Sequence, residues 1–237
     1  MKPAWQLRIA APFGAHPTDS VPVPRHGSYC CPAGEGFYRL HYCEWGRADN
    51  PRVVVCVHGY HRSARDFDVL ARELSAHFRV ICPDLAGRGE NGWLGTATEH
   101  SFPQLLADLN GLLSGLDVEE VAWIGTSLGA ILGMHLAAQP GTPIRCLVMK
   151  NVGEGFPPES VSQRGPPLSA PAAGVHSVEI WKNLTCPTIL LRGDAAPVLQ
   201  GEVERIRRFL VEKAGAPCRE AKACVLPESR DRLRLCV

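Results

Sequence analysis

Ser127 stands in the run GTSLG, residues 125 to 129, with a glycine two positions to either side. A serine framed in this way is a candidate nucleophile. Gly125 and Gly129 carry no Cβ, so the chain can turn tightly around the serine and leave its Oγ exposed. The hydroxyl attacks a carbonyl well only when a base takes its proton, and the usual base is histidine. Upstream, His58-Gly59-Tyr60 follows the apolar run RVVVCV directly. Gly59 lets the backbone turn so that the next N–H faces the serine. An oxyanion hole needs two such donors at the developing charge, and the natural pair is the N–H of Tyr60 and the N–H of Leu128. His58 itself reads as a residue that orients this loop rather than one that carries a proton.

The elements around these residues must place them together. RVVVCVHG, RVICPDLAGRG and EEVAWIG are continuous β-branched or apolar runs, the pattern of strands buried on both faces. IRCLVMKNVG and PTILLRGD are two further strands, and CVLPE opens a last one. GFYRLHYCEWG alternates in the manner of an antiparallel edge strand. Between the strands, DFDVLARELSAHF, SFPQLLADLNGLLSGL, SLGAILGMHLAAQPG and EVERIRRFLVEKAG have helical spacing. Ser101 and Gln104 have the spacing of a capping box. Pro140 and Gly141 end the third helix. Strands alternating with helices imply an α/β domain with a mostly parallel sheet. GTSLG then falls at a strand-to-helix turn. There the helix N-terminus favours developing negative charge, and a strained serine backbone is expected.

Composition narrows the function classes. The chain has 237 residues, 45% hydrophobic and 21% charged, with a formal net charge of +1. That suits one globular domain at 36–237 after an irregular lead-in at 1–35 that is rich in Pro and Gly. The charge supplies no broad field for nucleic acid or anionic lipid. Val121 to Ile144 lacks Asp, Glu, Lys and Arg, but its glycines and the breaker Gln139-Pro140-Gly141 fit a buried strand–turn–helix better than a membrane span. The N-terminus is a poor signal peptide. Ten cysteines occur with no CxxC pair and no Cys/His zinc spacing, so buried, reduced thiols in a cytoplasmic protein are expected, with Cys30-Cys31 in a loop. No metal and no organic cofactor are implied.

VVVCVHGYHRSARDF, VICPDLAGRG, VAWIGTSLGAILGMHLAA, IRCLVMKNVG and CPTILLRGD, in this order, resemble the α/β-hydrolase superfamily, in particular its bacterial esterases, lactonases and carbon–carbon bond hydrolases. The resemblance implies the α/β-hydrolase fold, with Ser127 as nucleophile and Tyr60 and Leu128 as oxyanion donors. It places an acid after TILLRG, where Asp194 is the candidate. Relatives usually carry the acid about three residues further on, at Pro197 here. Asn151, after the preceding strand, lies near the acid position some relatives use.

Three departures accompany the resemblance. The expected order is Ser, then Asp, then His, yet SRDRLRLCV after CVLPE holds no histidine, and only His135 and His176 follow Ser127. His135 lies eight residues up the helix, about 12 Å along its axis. His176 and His61 are the remaining candidates for a relocated base. The stretch 153–175, where relatives carry a helical lid, is short and proline-rich. No closing helix follows the last strand, so the C-terminus is atypical. The expectation is a truncated or frame-altered product.

The reading is therefore a hydrolase of a small ester, thioester or lactone, working through an acyl-enzyme on Ser127 and impaired for want of a base. The competing expectation is a catalytically silent binding or remnant domain. The expected partner is a small ester-like molecule, and the sequence is silent on oligomeric state.

Overall fold

The computed structural model describes residues 23–33, 36–91, 101–152, 180, 183–191, 200–213 and 223–226. The strands are β1 (Arg25–Ala33), β2 (Gly36–Trp45), β3 (Val53–Val57), β4 (Arg79–Pro83), β5 (Val121–Thr126), β6 (Ile144–Lys150), β7 (Thr188–Leu191) and β8 (Ala223–Leu226). The helices are α1 (Asp68–Leu74), α2 (Phe102–Gly115), α3 (Leu128–Ala137) and α4 (Gln200–Lys213). One sheet runs in the order β1-β2-β4-β3-β5-β6-β7-β8. β1, β2 and β4 pair antiparallel, and the pairs from β4 through β3, β5, β6 and β7 to β8 are parallel. This is the expected α/β-hydrolase architecture, a mostly parallel sheet with flanking helices.

Two points differ from the sequence reading. Residues 25–33 of the lead-in, RHGSYCCPA, are strand β1 rather than irregular chain. Because β1 lies outside β2, the alternating segment Gly36–Trp45 is not the edge of the sheet. Cys30 and Cys31 sit on this strand, Cys30 exposed and Cys31 buried. β1 has weak strand propensity of its own, and its nine-residue register with β2 supplies the order.

Helices cover both faces of the sheet. On one side α2 and α3 pack on Trp123, Leu147 and Met149. On the other, α1 and α4 pack on Val54, Ile124 and Val148. All five residues of β3 and all six of β5 are buried. Burying each Val or Ile side chain is worth about 1.5–3 kcal/mol relative to exposure. α3 is apolar all round, and nine of its ten residues are buried. Such a helix belongs inside the fold. Among the described residues, no helix is long and apolar enough to cross a membrane.

At the start of α2 the Ser101 hydroxyl accepts from the Gln104 N–H at 3.3 Å. The reciprocal half of the box is absent, because the Gln104 amide instead donates to the Pro32 carbonyl, Tyr38 Oη and Asp108. That cap therefore ties α2 to the β1–β2 hairpin.

Candidate active site

Parallel strands end together, and in open α/β sheets the site forms beyond their C-terminal ends. The β3–β5 register pairs Val57 with Gly125. Continuing both strands by two residues brings Gly59 abreast of Ser127. A Cβ built on Gly59 would lie 3.5 Å from the Ser127 Cβ. The loop that follows β3 and the turn that follows β5 are thus in contact.

Ser127 forms the turn between β5 and α3, with φ 51° and ψ −114°. Asp117 and Asn151 are the other non-glycine residues with positive φ among those described. Positive φ is costly for a residue with a Cβ, by about 1–3 kcal/mol. Neighbouring bonds hold Ser127 there. Its N–H donates to the Lys150 carbonyl at 2.8 Å, and its carbonyl accepts from the N–H groups of Ala130 and Ile131. The first N–H groups of an α-helix have no partner within it, and Leu128 opens α3 directly after Ser127.

The glycines account for the tightness of the turn. A Cβ on Gly125 would meet the Gly129 carbonyl oxygen at 2.3 Å, and one on Gly129 would meet the Val57 carbonyl oxygen at 2.1 Å. At Gly133 a Cβ would strike Trp123 Nε1, which itself donates to the Gly129 carbonyl at 3.0 Å. Any side chain at these positions would force α3 away from β3 and β5.

His58 is fully buried. Its Nδ1 lies 2.7 Å from the Gly59 carbonyl, and its Nε2 accepts from the Leu85 N–H at 3.0 Å. Donation from Nδ1–H to Gly59 satisfies both contacts, so the neutral ring has both nitrogens engaged by backbone. Burial pushes its pKa below the ordinary value of 6.5. His58 thus shapes the loop at Gly59 and has no nitrogen to spare for Ser127.

Four residues that sequence reasoning passed over support this loop and the turn at Ser127. Arg88 donates from Nε to the Tyr60 carbonyl at 2.7 Å, and its guanidinium lies 4.6 Å from the Tyr60 ring centre. Asp84, directly after β4, accepts from the Ala64 N–H at 2.7 Å, the Glu90 N–H at 3.1 Å and His41 Nδ1 at 3.0 Å. Gly89, with φ 57°, sits against this carboxylate, where a Cβ would lie 2.0 Å from Asp84 Oδ1. Lys150 supplies the carbonyl that holds the Ser127 N–H. The run PDLAGRG, an acid and glycines just after a buried strand, was the available signal for Asp84 and Arg88.

Asn151 follows β6 and anchors its N–H on the Leu191 carbonyl at 3.0 Å. Asp194, His176, the SRDRLRLCV tail in which the base is expected and the whole 153–175 segment lie outside the described residues. His61 is exposed and stacks edge-on against Tyr60, with ring centres 4.4 Å apart. His135 packs against Phe102 at 4.9 Å, on the body of α3.

A family model described as the alpha/beta hydrolase fold matches residues 52–166. The chain is 44% identical over 179 residues to a 3-hydroxybutyrate-oligomer hydrolase of Cupriavidus necator, across 68% of this chain and 61% of that protein. It is 33% identical over 104 residues to the putative carbamate hydrolase RutD of Escherichia coli, across 44% of this chain and 38% of that protein. The chain therefore spans less than two thirds of the length of these relatives. Among solved structures, the thioesterase domain from the curacin biosynthetic pathway has a TM-score of 0.61 at 19% identity and covers 86% of this chain and 93% of its own. An alpha/beta hydrolase from Novosphingobium aromaticivorans has a TM-score of 0.60 at 23% identity and covers 86% and 90%. At such identities the likeness is one of fold. The elbow at Ser127, the order of the strands and these matches agree: the chain belongs to the α/β-hydrolase superfamily.

Proposed function

We propose that the chain is a serine hydrolase acting on a small ester, thioester or lactone. Ser127 Oγ attacks the carbonyl, and the N–H groups of Tyr60 and Leu128 receive the oxyanion. The alcohol or thiol then leaves with a proton, and water releases the acid from the acyl-serine. One observation carries the reading: Ser127 holds a positive φ at a strand-to-helix turn, with the Gly59 backbone in contact range of its Cβ. Peptide N–H groups fixed beside the hydroxyl of this half-buried serine would stabilise negative charge with no reorganisation at the moment of reaction.

The similarity to a 3-hydroxybutyrate-oligomer hydrolase supports short hydroxy-acid esters as the first substrates to try. Asp194 is the acid in this reading. It orients an imidazole supplied by His176 or His61 if either serves as base. Cys30, Cys31, Cys43, Cys56, Cys82 and Cys146 form no disulfide, which supports a reducing, cytoplasmic setting.

A silent binding domain is the second reading. What favours it is that His58 has both nitrogens engaged by backbone and His135 packs against Phe102 on the body of α3.

The test is hydrolysis of a short p-nitrophenyl ester and of a 3-hydroxybutyrate dimer across a pH series. Slow turnover that vanishes in Ser127→Ala, with no step near pH ~6.5, is expected. Fast turnover that collapses in His176→Ala or His61→Ala would establish a relocated base. Turnover unchanged in Ser127→Ala would end the serine reading.

A further inference from the structure

On the face of the sheet that carries α1, His26, His41 and Cys43 meet on the β1–β2 hairpin. His26 is the direct cross-strand partner of Cys43. His41 lies two residues before Cys43, hence on the same face of β2. One ring nitrogen of each histidine and the Cys43 Sγ all lie within 4.8 Å of one another. The nearest pair, His26 Nδ1 and His41 Nε2, are 2.8 Å apart.

We propose that His26, His41 and Cys43 form a binding site for a borderline-soft divalent cation of the zinc class. Imidazole nitrogen and thiolate sulfur are the donor set such ions prefer. Around a tetrahedral zinc, with Zn–N near 2.0–2.1 Å and Zn–S near 2.3 Å, donors stand about 3.3–3.6 Å apart. The two histidine nitrogens need to open by about half an ångström, and the thiol, no more than 4.8 Å away, closes by about 1.2 Å at most. Two ring nitrogens this close are sharing a proton. A cation that takes that proton's place bonds to both nitrogens, and the proton passes through solvent to His26 Nε2, which keeps the ring neutral.

The surroundings fit a ligand set. The other nitrogen of His41 contacts Asp84 Oδ2 at 3.0 Å. A carboxylate on Nδ1–H fixes the tautomer and aims the Nε2 lone pair into the cluster, as it does for metal-bound histidines. Asp84 is 1% exposed and is itself held by two backbone N–H groups. Asp68, on α1, has a buried Oδ1 with no hydrogen-bond partner among the described residues, and its carboxylate lies near His26. Arg65 lies beside the Cys43 thiol and pairs with Asp68 Oδ2 at 2.6 Å. The Asp84 and Asp68 carboxylates thus lie with the Arg65 guanidinium around the cluster. Cys43 is buried while His26 is exposed, so the ion enters from the hairpin's outer side and keeps its fourth position for solvent. On binding, the Cys43 thiol releases its proton to solvent and becomes thiolate.

The proposal is independent of the serine chemistry, and its test reads the metal alone. The full chain, reduced and free of chelators, is titrated with Co²⁺ and then back-titrated with Zn²⁺. One equivalent of Co²⁺ is expected, with a thiolate-to-cobalt charge-transfer band that Zn²⁺ removes. His26→Ala alters an exposed side chain and should leave the circular dichroism unchanged while weakening Co²⁺ binding at least tenfold. Cys43→Ala should abolish the charge-transfer band. If Cys43→Ala does not fold, the His26→Ala affinity decides. Absence of the band in the native chain overturns the proposal. So does a band, or an affinity, that persists in His26→Ala, because the buried Cys56–Cys82 neighbours would then be binding the ion.

Discussion

Gly129, in the first turn of α3, sits so close to the end of β3 that a Cβ on it would lie 2.1 Å from the Val57 carbonyl oxygen. The neighbour is backbone inside a fully paired sheet, so it cannot step aside. Gly129→Ala is expected to lose about 1–3 kcal/mol of stability, the usual cost of overpacking. It should also push the Leu128 N–H away from the oxyanion position proposed above. Urea unfolding of Gly129→Ala beside the parent chain measures the first effect. A stability within about 0.5 kcal/mol of the parent would show that α3 is not pressed on β3 as described.

Ser127 separates strain from chemistry. Ser127→Ala keeps a Cβ at φ 51° and retains the strain. Ser127→Gly removes it, since glycine takes positive φ freely. Ser127→Gly should therefore be more stable than Ser127→Ala by about 1 kcal/mol, although glycine ordinarily costs entropy. Both lose the nucleophile. Equal stabilities, or the reverse order, would mean that the turn is not strained.

His58 predicts a pH dependence of stability. Burial holds its pKa in the folded chain below the unfolded value near 6.5. Between the two values the unfolded chain binds the extra proton, so stability rises with pH there. It is fully present above about pH 6.5 and lost as pH falls through that window, by at most about 1.4 kcal/mol per pH unit for this one group. His58→Gln should flatten the slope in denaturant melts taken below pH 6.5. An unchanged slope would contradict the assignment of a neutral, buried His58.

Arg88 is 7% exposed, with its Nη2 buried and lacking a partner among the described residues. Burial pulls the guanidinium below its usual range. A buried cation so poorly paired stabilises the fold little, and an apolar replacement of similar length removes its desolvation cost. Arg88→Met should fold with little stability change. It should slow any Ser127-dependent esterase rate at least tenfold, because the Tyr60 carbonyl loses its anchor and the Tyr60 N–H its aim. A large stability loss with an unchanged rate would reverse these roles.

The parts of this fold that declare themselves locally could be read from the residues. RVVVCV and EEVAWIG have no polar face, so they could only be strands buried on both sides, and GTSLG then had to turn between strand and helix. β1 could not be read, because His26-Gly27 and Pro32 give it little strand propensity and its order comes from pairing with β2. The same pairing made the His26, His41 and Cys43 cluster illegible. Its members are 15 and 2 residues apart in sequence, a spacing that matches no zinc pattern, and only the hairpin register joins them. The support of Tyr60 by Arg88 is likewise tertiary, across a separation of 28 residues.

The most direct measurement of the central claim is intact-mass spectrometry of the folded chain after exposure to a fluorophosphonate, with peptide mapping of any adduct. The account predicts a single adduct on Ser127, formed slowly, and none in Ser127→Ala of equal foldedness. A folded chain that takes no adduct at Ser127, or takes it on another residue, would contradict the claim that this elbow presents a nucleophile to an oxyanion hole.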